Sequence, residues 1–310
     1  MENEPKKTVS EPKNTVSELK KTESESKEKV IEPRRIVIMG ATSGIGLAVA
    51  ERLLADGCRL GIAGRNAESL RQLEQRWPGQ VVYSEIDITE DKAVGRLEDL
   101  ISRLGGMDTY FHISGVGYEN STMATPPEVR TMETNVTGFV RMMSTAYRYF
   151  RSHGGKGHIA AITSVAGTKG VGRLAAYSTS KRAQQTYLVA LEQLANEQGL
   201  SIRFSDIRPG WVRTPLLAEG KKYPMLMSVD YAADRIIRGL HRRVTVVDWR
   251  WGILSALWRL IPNRLWVHMR LNTNLHPIRT IPFDVCARVR CCLVREAADA
   301  AWASLRVCRS

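Results

Sequence analysis

Tyr177 and Lys181 stand four residues apart in Ala175-Ala-Tyr-Ser-Thr-Ser-Lys181, a spacing that on a helix puts both side chains on one face. A phenol ionises near ~10 and is a poor acid or base at neutral pH. An ammonium one turn away favours the phenolate, and with a second positive charge at the site it would lower that value by about 2 to 3. Tyr177 then becomes usable for proton transfer. Ser164 precedes it by thirteen residues and closes the apolar run His158 to Thr163. A hydroxyl there can hydrogen-bond a carbonyl oxygen and stabilise a developing alkoxide. These residue types suit the interconversion of a carbonyl and an alcohol.

Such a reaction needs a hydride carrier, and the chain has a place for one. Gly40-Ala-Thr-Ser-Gly-Ile-Gly46 joins an apolar run, Arg35 to Met39, to a helical pattern, Leu47 to Leu54. Without Cβ atoms, Gly40, Gly44 and Gly46 let the backbone approach a pyrophosphate lying on the helix N-terminus. At the end of the next apolar run stands Gly64-Arg65, where a carboxylate would accept hydrogen bonds from an adenosine ribose diol. A guanidinium instead pairs with a 2′-phosphate through two charge-assisted hydrogen bonds.

The elements that must position these residues alternate. Strands are expected at Arg35 to Met39, Cys58 to Ala63, Val81 to Ile86, Thr109 to Ile113, His158 to Thr163, Ile202 to Ile207 and Val244 to Val247. Helices are expected at Leu47 to Leu54, Asn66 to Trp77, Thr89 to Leu104, Pro127 to Phe150 and Ala175 to Gln198. This pattern predicts an α/β fold, a doubly wound parallel sheet covered by helices on both faces.

The glycine spacing, Ser164, Tyr177-x-x-x-Lys181 and Pro209-Gly210-Trp-Val-Arg-Thr214 together resemble the short-chain dehydrogenase/reductases over about Arg35 to Val247. The resemblance implies a Rossmann fold and an NADP(H)-dependent oxidoreductase, with NAD(H) less favoured because of Arg65. It implies hydride transfer between the nicotinamide and a carbonyl carbon, with Tyr177 moving the proton. Asn135, in Thr134-Asn-Val136, matches the family position that holds a water leading to Lys181, which completes a catalytic set of Asn135, Ser164, Tyr177 and Lys181. The implied cofactor residues are Gly40, Thr42, Ser43, Gly44, Ile45, Gly46, Arg65, Asp87, Ile88, Gly115, Tyr177, Lys181, Pro209, Gly210, Val212 and Thr214. Two motifs depart from the family: Met39-Gly40 replaces its Thr-Gly, and His112-Ile-Ser-Gly115 replaces its Asn-Asn-Ala-Gly. His112 reads as a hydrogen-bonded strand-end histidine without a chemical role. The family commonly forms dimers or tetramers, so a homodimer or homotetramer is expected.

Outside residues 35–248 the composition changes. Residues 1–34 are rich in Lys and Glu with few apolar residues, and contain the tandem Glu4-Pro-Lys-Lys-Thr-Val-Ser10 and Glu11-Pro-Lys-Asn-Thr-Val-Ser17. They predict a disordered charged tail. Residues 249–270 read as an amphipathic Trp/Arg-rich helical extension interrupted by Pro262. In it Ser255, Arg259, Asn263, Arg264 and His268 form the polar side and Trp251, Trp258 and Trp266 the apolar one. Packing on a protein surface and peripheral contact with the cytosolic face of a membrane both fit, packing being preferred; the arginines argue against a bilayer span. Residues 271–310 form an Arg/Cys-rich tail of unassigned role, holding four of the five cysteines.

The net charge of +13 permits anionic partners, but the stacking aromatics that nucleic acid requires are lacking, so none is expected. Cysteine spacing gives no metal site. No secretory signal is recognised at the acidic N-terminus, and reduced thiols and a cytoplasmic location are expected. The segments Gly117 to Pro126 and Leu216 to Met227 are the expected substrate lids. Two other readings stay open: a membrane-associated reductase of a lipid-linked keto substrate, and a catalytically silent nucleotide sensor on the same fold.

Overall fold

The computed structural model describes residues 34–217 and 220–269. The charged tail 1–33, the Arg/Cys-rich tail with Cys286, Cys291, Cys292 and Cys308, and two positions of the second lid lie outside the described residues.

Among the described residues seven parallel strands form one sheet: β1 (Arg35–Met39), β2 (Arg59–Gly64), β3 (Val81–Glu85), β4 (Thr109–His112), β5 (Lys156–Ile162), β6 (Ser201–Arg208) and β7 (Val244–Val246), in the order β3-β2-β1-β4-β5-β6-β7. The strand β1 pairs with β2 on one side and with β4 on the other. Strand order reverses there, and the carboxyl ends of β1 and β4 open a crevice. Because successive side chains point to opposite faces, the strands feed two cores. Val37, Met39 and Tyr110 enter one, with Leu97, Leu100, Phe139, Phe150 and Leu188. Ile36, Ile38 and Phe111 enter the other, with Leu53, Leu60, Leu70 and Ile236.

The helices follow the apolar spacing. They are α1 (Gly44–Ala55), α2 (Ala67–Arg76), α3 (Ala93–Leu104), α4 (Thr125–Met132), α5 (Phe139–Ser152), α6 (Ala175–Glu197), α7 (Val229–Gly239), α8 (Trp249–Leu260) and α9 (Asn263–Trp266). Asn66 starts α2 by accepting from Ser69 N–H at 3.0 Å, as an N-cap does. Between α4 and α5 the backbone makes a π turn, Glu133–Gly138, a local widening that recurs at functional sites. The single helix expected over Pro127 to Phe150 is therefore two helices and a bulge. The expected helix from Thr89 starts later, at Ala93, because the Asp87 carboxylate accepts from the Thr89 N–H and hydroxyl at 2.9 and 2.7 Å and holds a turn.

Helix α7 was not expected, although Ser228 caps it through Tyr231 N–H at 3.2 Å and Ala232, Ala233 and Ile236 bury one face. The extension from Trp249 breaks at Pro262, as its sequence predicts, but its faces differ from the expected ones. Ser255 is 6% exposed while Ile253, Leu257 and Leu260 point outward, Leu260 at 78%. The domain selects the inner face through tryptophan contacts. Trp251 is buried, Trp266 donates from Nε1 to Gly170 O at 2.6 Å, and the rings of Trp251, Trp258 and Trp266 meet edge to face in sequence. Lys169 adds two bonds from Nζ, to Ile261 O at 2.9 Å and Asn263 Oδ1 at 2.7 Å.

Candidate active site

The loop after β1 turns at Gly40, whose φ of +100° is left-handed and suits glycine. A Cβ on Gly46 would stand 1.8 Å from Gly40 O, so only glycine lets the loop fold onto the start of α1. Ser43 precedes α1 without a side-chain cap, and the first turn has no acidic residue. The leading N–H groups thus face the crevice with the positive end of the helix dipole behind them. This is a cradle for a pyrophosphate, and the residues fit a dinucleotide.

Around the cradle lies a cleft of about 770 Å³. Every residue that the sequence reading assigned to the cofactor lines it: the loop Gly40 to Gly46 with Thr42, Ser43, Gly44 and Ile45, Arg65 beyond β2, Asp87 and Ile88 beyond β3, Gly115 beyond β4, Tyr177 and Lys181 on α6, and Pro209, Gly210, Val212 and Thr214 beyond β6. Ser164 and Asn135 are both buried, the Ser164 hydroxyl bonding Tyr177 of the cleft and the Asn135 amide bonding Val116 of it. Burial pushes Asp87 up, but its bonds from Thr89, with Arg65 and Arg130 nearby, bring it below the ordinary carboxylate value.

Tyr177 and Lys181 share a face of α6, with Lys181 Nζ 5.7 Å from the Tyr177 ring centroid. A Cβ on Gly117 would meet the Tyr177 ring at 2.6 Å, so glycine in the first lid makes room for the phenol. Burial pushes Tyr177 above its usual value and a hydrogen bond with the Ser164 hydroxyl opposes it. The lowering expected from the ammonium is thus not produced by the protein's own groups, because desolvation outweighs them. Lys181 is itself 4% exposed, and burial lowers it to about 8, against the opposing charge of Asp206.

Ser164 is fixed from several sides. Its hydroxyl accepts from Ala166 N–H at 3.1 Å, and its carbonyl accepts from Gln185 Nε2 at 2.8 Å. Neighbouring Thr163 donates to Asp206 Oδ1 at 2.5 Å, and Asp206 pairs with Arg208. Asn135 sits in the π turn. Its amide exchanges bonds with Val116, Nδ2 to Val116 O at 2.7 Å and Val116 N to Oδ1 at 2.8 Å, and donates to Ser180 Oγ at 3.0 Å. It clips the loop after β4 to α6. Between the Asn135 carbonyl and Lys181 lies the side chain of Gln184, donating to Asn135 O at 2.8 Å and accepting from Lys181 Nζ at 3.0 Å.

Gln184 and Gln185 escaped the sequence reading, and Gly117 was read there only as the start of an expected lid, not as the neighbour of the Tyr177 ring. Also unannounced were the ion pair of Lys221 and Glu119, which joins segments 117–126 and 216–227, and the packing of Trp211 on Tyr223 at 4.7 Å. Apart from Lys181, one helical turn from Gln184, their partners lie on other elements, and no local spacing announces them. His112 is fully buried at the end of β4, its Nδ1 3.0 Å from the Tyr110 hydroxyl and its ring edge-on to Phe139. Among the described residues no cluster of metal-ligating side chains occurs, and no helix is long and apolar enough to cross a membrane.

The model of the short chain dehydrogenases matches residues 34–223. The chain belongs to that family. An uncharacterized oxidoreductase of Myxococcus xanthus is 30% identical over 241 residues, which cover 75% of this chain and 94% of that protein. The bovine dehydrogenase/reductase SDR family member 7B is 31% identical over 208 residues, 62% of this chain and 63% of its own length, so the match spans under two thirds of that relative. Among solved structures, a short-chain dehydrogenase from Burkholderia cenocepacia in complex with NADP superimposes with a TM-score of 0.65 at 22% identity, covering 79% of this chain and 99% of that one. By family the chain is thus a short-chain dehydrogenase, and its described residues build a seven-stranded parallel sheet.

Proposed function

We propose that the protein is an NADP(H)-dependent oxidoreductase that interconverts an apolar carbonyl compound and its alcohol, with residues 35–248 as the reacting domain. The observation that carries the reading is that Tyr177 and Lys181 stand in the wall of the same cleft that the glycine loop opens. A nicotinamide dinucleotide supplies or accepts the hydride when bound. The protein's own part is to hold the dinucleotide and to manage one proton.

The α1 N-terminus with Gly40, Gly44 and Gly46 would hold the pyrophosphate, Arg65 the 2′-phosphate, and Asp87 and Ile88 the adenine end. Pro209, Gly210, Val212 and Thr214 would flank the nicotinamide end. Tyr177, held protonated by its burial, donates its proton to the carbonyl oxygen during reduction, and Ser164 steadies that oxygen. Lys181 supplies positive charge beside the phenolate that remains. Tyr118, Leu174, Trp211, Leu216, Leu217 and Tyr223 also line the cleft, which supports an apolar substrate.

One observation favours a membrane setting for this activity. Trp249, Ile253, Leu257, Leu260 and Val267 leave an exposed apolar stripe on α8 and the segment after it, beside exposed Arg259 and Arg264. No acidic residue occurs from Trp249 to Met269. This composition suits peripheral contact with an anionic bilayer surface.

The test is NADPH consumption by the full chain against a panel graded from small ketones and keto-sugars to long-chain and lipid-linked ketones. Turnover that rises with apolar size is expected. Bound NADPH with no turnover across the panel would instead favour a nucleotide sensor.

A further inference from the structure

The second residue pair on the catalytic helix, Gln184 and Gln185, is buried, and Gln184 is only 1% exposed. Residues three apart on a helix are neighbours, so Gln184 lies against Lys181. Its Oε1 accepts from Lys181 Nζ at 3.0 Å while its Nε2 donates to Asn135 O at 2.8 Å. The two ends of an amide are not interchangeable. Flipping Gln184 would turn its NH₂ group against the ammonium and its oxygen against a carbonyl, so the partners fix its orientation.

The other bond that Lys181 makes is to Ile162 O at 3.1 Å. Three titratable groups also face it: Tyr177 on its own helix, Asp206 on β6 and His112 on β4. Asp206 is already engaged by Arg208 and Thr163, and His112 interacts with Lys181 by charge alone. Among the described residues the Gln184 carbonyl is therefore one of two oxygens bonded to the ammonium, and the Asn135 carbonyl locks it in place.

We propose that Gln184 is the positioning residue of Lys181, an amide clamped on the π turn that holds the ammonium beside Tyr177. It joins α6 to the π turn at Asn135, so the bulge and the catalytic lysine are mechanically linked. An amide with one fixed donor and one fixed acceptor holds both neighbours without passing a proton between them.

The inference rests on the oxidoreductase reading only for what Lys181 does, so its test reads Lys181 directly. The full chain is labelled with [13Cε]lysine, and the Lys181 resonance is assigned by its loss in Lys181→Met. Its titration is then followed in the wild type, Gln184→Met and Gln184→Glu. Losing the acceptor in Gln184→Met should move the Lys181 midpoint down by about one pH unit, and the carboxylate in Gln184→Glu should move it up by at least as much. If Gln184→Met does not fold, the upward shift in Gln184→Glu carries the test. An unchanged midpoint in the variants that fold would overturn the proposal. The outcome is independent of whether any carbonyl substrate is turned over, so failure here is distinct from failure of the functional reading.

Discussion

At Tyr177 burial raises the phenol while Ser164 pulls against it, and the protein on its own leaves the proton in place. That state suits a donor in carbonyl reduction, and the positive charge of Lys181 becomes useful once the proton has left. Tyr177, Lys181 and Ser164 were legible because their relation is local: a helical repeat and a strand end. Gln184 was not, since its meaning depends on Asn135, 49 residues away, and a glutamine in a polar helix reads as surface. That Arg65 would stand at the cleft was legible from its position just past β2. At this scale, Arg65→Asp should weaken NADPH binding by about 10- to 100-fold and leave NADH nearly unchanged, because one charge-assisted phosphate contact is replaced by repulsion. Fluorescence titration of both dinucleotides measures this, and an equal loss for both would remove the assignment.

Elements were legible where apolar spacing matched a single period. Strand β1 falls on the expected residues, and α6 ends one residue short of them. The misses share a physical cause, since tertiary contacts decided them. The π turn answers to Val116 and Ser180 across the cleft. On α8 the buried side is chosen by Trp251, which lies where a Cβ on Gly210 would be, 2.1 Å from its indole nitrogen. Gly210 is thus glycine for the sake of the extension as well as the cleft, and the extension braces the loop after β6. The outward stripe that remains gives an element-scale prediction. Flotation of the full chain with phosphatidylserine-containing vesicles should recover bound protein, and Ile253→Glu with Leu257→Glu should reduce recovery at least fivefold. Equal recovery of wild type and double variant would mean that α8 is not the contact.

Across the whole molecule, two buried histidines report on stability. Burial lowers His112 to about 3, and Lys181 adds to the effect. It lowers His158 to about 4, aided by Arg203 and Arg34. In the unfolded chain both take a proton near pH ~6.5, while the folded protein leaves them neutral until far lower pH. Stability is therefore fully present above pH ~6.5 and is lost as pH falls toward the folded values. Each histidine should remove about 2 kcal/mol between pH ~7.5 and ~5. Urea midpoints across that range should fall accordingly, and His112→Asn should halve the histidine part of the slope. Midpoints that stay level would show that the rings are charged in the fold. The doubly wound class itself was legible from alternation, because a sheet covered on both faces demands apolar strands and one-sided helices.

The account stands on Tyr177 as the group that moves the proton. The most direct measurement compares wild type and Tyr177→Phe, each saturated with NADPH by fluorescence titration, for consumption of NADPH with whichever ketone the wild type reduces. The account predicts that the variant binds NADPH within about threefold of wild type and loses at least about 1,000-fold in kcat. Turnover within tenfold of wild type would contradict it.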